Sequence, residues 1–127
     1  MEKHLPITEA EWKIIKLLWE QSPMTMPELT KRLEPETGWS KHTVITLLKR
    51  MLAKGTVRVE ESEPARLYYP LIERTEAVRS ETNSLVRRVF GGSALLLVNE
   101  LVSQGELSES DIAELMATIE KAKEHTP

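Results

Sequence analysis

Between Trp39 and Gly55 the chain carries Ser40, Lys41, Thr43, Thr46, Lys49 and Arg50, interleaved with Val44, Leu47, Leu48, Met51 and Leu52 at spacings of three and four. That interleaving is the pattern of a helix with one core-facing side, so the basic and hydroxyl residues fall on the other side with His42 and Ala53. Ammonium and guanidinium groups neutralise phosphates, while threonine hydroxyls and a guanidinium hydrogen-bond base edges. The chemistry on offer is therefore recognition of a nucleic-acid duplex. An ordinary solvated helix face is the competing reading of the same charges.

The local charge favours the first reading. From Gly38 to Val59 there are five basic residues, Lys41, Lys49, Arg50, Lys54 and Arg58, and no Asp or Glu, in a chain whose net charge is −3. Residues 1–59 hold ten basic and seven acidic groups; the remainder holds seven and thirteen. A basic patch on an acidic protein is a local footprint, and the acidic remainder argues against indiscriminate coating of nucleic acid.

Other chemistries find little support. The chain has no Cys and three His, which excludes disulfides and thiolate metal sites, and His4, His42 and His125 form no ligand spacing. No glycine-rich phosphate loop or spaced acid pair points to an enzyme, and no cofactor is expected. No apolar run approaches the roughly 20 residues of a membrane span, and the N-terminus lacks a signal-peptide pattern, so a cytoplasmic protein is expected.

Four helix starts share one grammar: a capping residue, an apolar residue just before it and another four positions inside. Thr8, Thr25 and Ser108 have an acid at the box position (Glu11, Glu28, Asp111), and Ser40 has Thr43 there instead. An acid at 43 would face phosphate, so its absence fits the recognition reading. The expected helices are Glu9–Gln21, Met26–Leu33 and Lys41–Lys54, with six residues, Glu34 to Trp39, linking the last two. Trp12, Trp19 and Trp39 occupy staple or core positions and are expected inside. Thr56–Glu60 and Arg66–Pro70 read as a β-hairpin around an acidic tip. Three helices and a hairpin give a mostly α winged helix-turn-helix over residues 1–72. Arg58 and Arg66 are the hairpin's candidate phosphate contacts, and a glutamate partner is the alternative for Arg66.

From residue 73 the composition changes to helix formers. Helices are expected over Glu73–Phe90, Ser93–Ser103 and Glu109–Glu124, with a break at Gly91-Gly92. Leu85, Val89, Phe90, Leu95, Leu96, Val98, Leu101, Val102, Ile112, Leu115, Met116 and Ile119 make more apolar surface than a pair of helices buries. Residues 73–127 are therefore expected to form a helical dimerisation domain, and a homodimer would set two reading helices on successive major grooves. A self-contained three-helix packing is the alternative.

Ala10-Glu11-Trp12, Leu17-Leu18-Trp19, Trp39-Ser40 through Thr43-Val44, Leu47-Leu48-Lys49-Arg50, Lys54-Gly55, Tyr68-Tyr69-Pro70 and Gly91-Gly92-Ser93 resemble the penicillinase and methicillin-resistance repressors, the BlaI/MecI family. The match runs in order along nearly the whole chain. It implies homodimeric winged-helix repressors that occupy dyad operators on double-stranded DNA. Carried over, Ser40, Lys41, Thr43, Thr46, Lys49 and Arg50 become DNA contacts, with Thr43, Thr46 and Arg50 expected at base edges and Lys41, Lys49 and Lys54 at phosphates. The resemblance also implies an inactivating protease acting at an Asn-Phe bond in the second helix of the dimer domain. Here that place reads Val98-Asn99-Glu100-Leu101, so Asn99 and Glu100 mark the corresponding region without the Phe. Two alternatives remain: a winged helix serving as a protein-interaction module, and a DNA-binding activator, since the sign of regulation depends on operator position.

Overall fold

The computed structural model describes residues 6–126; His4 lies outside them. In chain order the elements are α1 (Glu9–Glu20), α2 (Met26–Thr37), α3 (Lys41–Lys54), β1 (Val57–Glu60), β2 (Leu67–Pro70), α4 (Arg74–Phe90), α5 (Ala94–Ser103) and α6 (Glu109–Glu124). The chain divides into two compact units, Met1–Thr82 and Asn83–Pro127. The compositional change after residue 72 precedes that division because the start of α4 belongs with the first unit, where Ala77 is fully buried.

The four helices whose starts the caps announce begin there. Thr8, Thr25 and Ser108 form complete capping boxes with Glu11, Glu28 and Asp111, each cap worth about 1 kcal/mol. Ser40 Oγ accepts the Thr43 N–H at 3.3 Å with no acidic counterpart. The staple residues Ile7, Met24, Leu29 and Val44 are buried, and Trp12 and Trp39 are half-buried against the same core.

One element differs from its expected length. α2 continues past Leu33 to Thr37, through Pro35. Proline removes an N–H and clashes one turn back, which is why a helix is expected to stop near it. Here Pro35 sits in the last turn, where the N–H it lacks would have served Lys31 O; the helix end beyond it is held by Thr37, whose Oγ1 donates to the Leu33 carbonyl at 2.8 Å and accepts the Trp39 N–H at 3.1 Å. Gly38, at φ +69°, then closes the helix by donating its N–H to Glu34 O. A Cβ at Gly38 would meet no atom within 4 Å, so the left-handed backbone alone favours glycine there. Gly38, Trp39 and Ser40 are all that separates α2 from α3, the short turn of a helix-turn-helix rather than a six-residue link.

The hairpin pairs antiparallel, Val57 with Pro70, Arg58 with Tyr69, Val59 with Tyr68 and Glu60 with Leu67. Alternation puts Val57 and Tyr68 inside and Arg58 outside. Met24, between α1 and α2, adds a one-residue bridge on the other edge of β2 by exchanging hydrogen bonds with Tyr68: Tyr68 N–H to Met24 O at 2.9 Å and Met24 N–H to Tyr68 O at 3.2 Å. Around this junction Ile14, Ile15 and Leu18 of α1, Leu29 and Leu33 of α2 and Val44, Leu48 and Met51 of α3 form one core. Trp12 and Trp19 meet edge to face at 5.7 Å, and the Trp19 indole N–H donates to Ile72 O at 2.9 Å.

The second unit is built differently. Ser93 caps α5 after the Gly91-Gly92 break, yet no residue of α5 or α6 is buried. Val89 is 57 %, Leu95 66 % and Met116 63 % exposed, and Leu85, Leu96, Leu101, Val102, Ile112 and Ile119 are exposed too. Phe90, Val98 and Leu115 are half-buried.

Candidate nucleic-acid interface

α3 is fixed to the core by one face. Val44, Leu47, Leu48 and Met51 are buried, Leu52 is half-buried, and Lys41, His42, Thr46, Lys49 and Arg50 are exposed on the other side. Thr43 is half-buried beside them, its Oγ1 3.4 Å from Ser40 Oγ. Thr46 Oγ1 donates back to His42 O at 2.9 Å, which spends its proton within the helix and leaves the oxygen lone pairs outward as acceptors.

Lys41, Lys49 and Arg50 make no hydrogen bond or ion pair with any other described residue. Several acids of the first unit are engaged elsewhere: Glu36 with Lys13 at 2.6 Å, Glu20 with Arg32 at 3.6 Å, Glu61 with Arg66 at 3.1 Å. The first turn of α3 contains no acid, so its N-terminal partial charge adds to the attraction for phosphate. An open apolar cleft of about 250 Å³, lined by Met26, Pro27, Ile45, Ala65, Arg66 and Tyr68, separates the near ends of α2 and the wing beside α3.

Three basic residues expected to meet phosphate have partners within the protein itself. Lys54 turns toward α1, where its ammonium lies 2.8 Å from Glu11 Oε1. That partner is 43 residues away in sequence, and no local pattern signals it. Arg66 takes the glutamate alternative, bound to Glu61. Arg58 lies over the Tyr69 ring at 3.9 Å. The free cations of the interface are therefore Lys41, Lys49 and Arg50, among the described residues. Asn99 and Glu100 are exposed on α5. Among the described residues no group of three His, Asp or Glu side chains gathers as metal ligands would, and no helix is long and apolar enough to cross a membrane.

A winged helix whose third helix turns an unpaired basic face outward defines the class: a DNA-binding transcription regulator. Residues 7–121 match the family model described as penicillinase repressor. The penicillinase repressor of Bacillus licheniformis is 27% identical over 123 residues, covering 97% of this chain and 96% of that protein. The methicillin resistance regulatory protein MecI of Staphylococcus aureus (strain N315) is 24% identical over 119 residues, 94% of this chain and 97% of that one. Among solved structures, the B. licheniformis BlaI monomer in complex with the blaP half-operator superposes with a TM-score of 0.53 at 29% identity, covering 60% of this chain and 93% of that one. The free DNA-binding domain of the repressor BlaI superposes equally well. The chain belongs to the penicillinase repressor family and is a winged-helix DNA-binding transcriptional repressor.

Proposed function

We propose that the protein acts as a homodimer on a dyad operator, each α3 lying in a major groove with Thr43, Thr46 and Arg50 toward base edges and Lys41 and Lys49 toward phosphates. The observation that carries this is the division of α3 into a buried apolar face and an opposite face with three unpaired cations. BlaI bound to its half-operator supports the DNA partner. The apolar residues left exposed on α4, α5 and α6 support the dimer, because a stable fold seldom leaves so many large side chains in water. Occupying an operator blocks transcription in the cytoplasm, and relief follows inactivation of the repressor. The Asn99–Glu100 region lies inside α5, so a protease would need that helix to open locally first.

The test is selection from a random duplex library at near-physiological salt, with the wild-type chain and Arg50→Ala in parallel. An enriched twofold motif that is lost in the variant is the expected result. No enrichment by a folded wild-type chain would move the reading to a protein-interaction module.

A further inference from the structure

We propose that the buried Glu11–Lys54 ion pair is a positioning device that sets the roll of the reading helix, so that two residues which touch no DNA govern how well the protein tells its operator from other sequences. The inference rests on the DNA-reading role of α3 proposed above.

The geometry is unusually complete for a lysine at a helix end. Lys54 is the last residue of α3, and its three ammonium protons have three acceptors: Glu11 Oε1 at 2.8 Å, Glu11 Oε2 at 3.1 Å and Pro6 O at 2.8 Å. Glu11 is 1 % exposed, and its Oε1 also accepts the Thr8 N–H that opens α1, at 3.1 Å. One carboxylate thus closes the capping box of α1 and ties the last turn of α3 to that cap. The other end of α3 is held by Ser40 and by Trp39 against the core.

Burying such a pair is a poor way to gain stability, because desolvation of both charges offsets most of their attraction, and apolar side chains of like volume do as well or better. What an ion pair supplies that an apolar contact does not is direction. The buried stripe of α3 resists translation, but smooth apolar packing tolerates a small roll about the helix axis. Atoms roughly 6 Å from that axis move about 1 Å for a roll of about 10°, while a productive contact needs placement within about 0.5 Å. Arg50 lies one helical turn before Lys54 and would feel such a roll directly. Phosphate attraction, which depends on charge more than on angle, would hardly feel it.

The experiment uses the full chain with Glu11→Gln, which keeps the capping oxygen and the volume, together with Lys54→Gln and the double variant. Helix content is checked first. Affinity for the selected operator and for a random duplex is then measured over a series of salt concentrations. The expected result for each variant is a loss of about tenfold in the ratio of operator to random binding, random-duplex affinity within about twofold of wild type, and an unchanged salt slope. The double variant is expected to be no worse than either single one, as coupled residues are. Three results would overturn the proposal: an unchanged ratio in Glu11→Gln, a Glu11→Gln chain that does not fold, or equal losses on both duplexes with a salt slope smaller by about one in Lys54→Gln, which would make Lys54 a phosphate contact. A wild-type chain without any operator preference would instead remove the DNA-reading proposal itself.

Discussion

The Arg58 guanidinium lies 3.9 Å from the centroid of the Tyr69 ring, directly across the hairpin, and the phenol beneath it donates to Glu60 Oε1 at 3.0 Å. Cation, ring and carboxylate therefore form one column on the outer face of the wing. The hydrogen bond to Glu60 raises the Tyr69 phenol above its usual value of 10.0, helped by desolvation and by the Glu60 charge and opposed by Arg58. A raised value means that the bond contributes below the unfolded value and is lost as pH climbs through the folded one, when the phenolate has no proton to donate. Subtracting a Tyr69→Phe titration from that of the wild-type chain, followed by tyrosinate absorbance, isolates this group. Glu60→Ala is expected to move its midpoint down toward 10.0. An unmoved midpoint would mean that Glu60 does not hold the phenol in solution.

A second ion pair titrates at the acid end. Lys13 on α1 donates to Glu36 in the last turn of α2 at 2.6 Å; that hydrogen bond, then the Lys13 charge, lowers the Glu36 carboxyl below 4.5. The stabilisation is present above the unfolded value and fades as pH falls through the folded one. Both groups are exposed, so the effect is small. Melting temperatures of the wild-type chain and Glu36→Gln should differ slightly at neutral pH and converge in acid. A gap that stays constant with pH would refute the pairing.

The Trp19 indole bond to Ile72 O ties α1 to the segment that leaves the wing. Trp19→Phe removes the donor and leaves that carbonyl without it, at a cost of about 1–3 kcal/mol. Denaturant unfolding measures this, and a change well under the lower figure would mean that water replaces the indole freely.

How far the chain could be read in advance follows from how far each signal travels along it. Thr8, Thr25, Ser40 and Ser108 announce helix starts because a cap acts within three residues, and the buried stripe of α3 is visible because its period lies within a single helix. Pro35 misleads, since a breaker in the last turn removes a single N–H while Thr37 and Gly38 secure the helix end beyond it, signals that are themselves local. Lys54 and Met24 were beyond reach. As a charge pattern Lys54 belongs with Lys49 and Arg50, and only the fold brings Glu11 to it. Nothing in the sequence around Met24 marks it as a bridge partner of Tyr68.

Arg50 and Lys49 are neighbours on the exposed face of α3, but a guanidinium and an ammonium do different work in a groove. Arg50→Ala is expected to lower operator affinity by about 1–3 kcal/mol and to relax the preference at one base pair, as loss of a bidentate contact does. Lys49→Ala should weaken operator and random duplex alike and reduce the salt slope by about one. Competition binding on both duplexes distinguishes them. Equal behaviour of the two variants would refute the assignment of Arg50 to a base edge.

Leu95, at 66 % exposed, is the most solvent-accessible of the large apolar residues on α5 and α6. In a dimer built on these helices it becomes buried, and burial of such a side chain is worth about 1.5–3 kcal/mol. Leu95→Glu forfeits that and adds a charge to an apolar surface, so the dimer should dissociate at a concentration at least about tenfold higher. Because no α5 residue belongs to the core around α3, the winged helix of the variant should keep its melting behaviour. Operator affinity should fall, since each half-site must then be found separately. Sedimentation of both chains at micromolar concentration gives the answer: a wild-type monomer would sink the dimer, and an unaltered Leu95→Glu dimer would place its interface on another face of the helices.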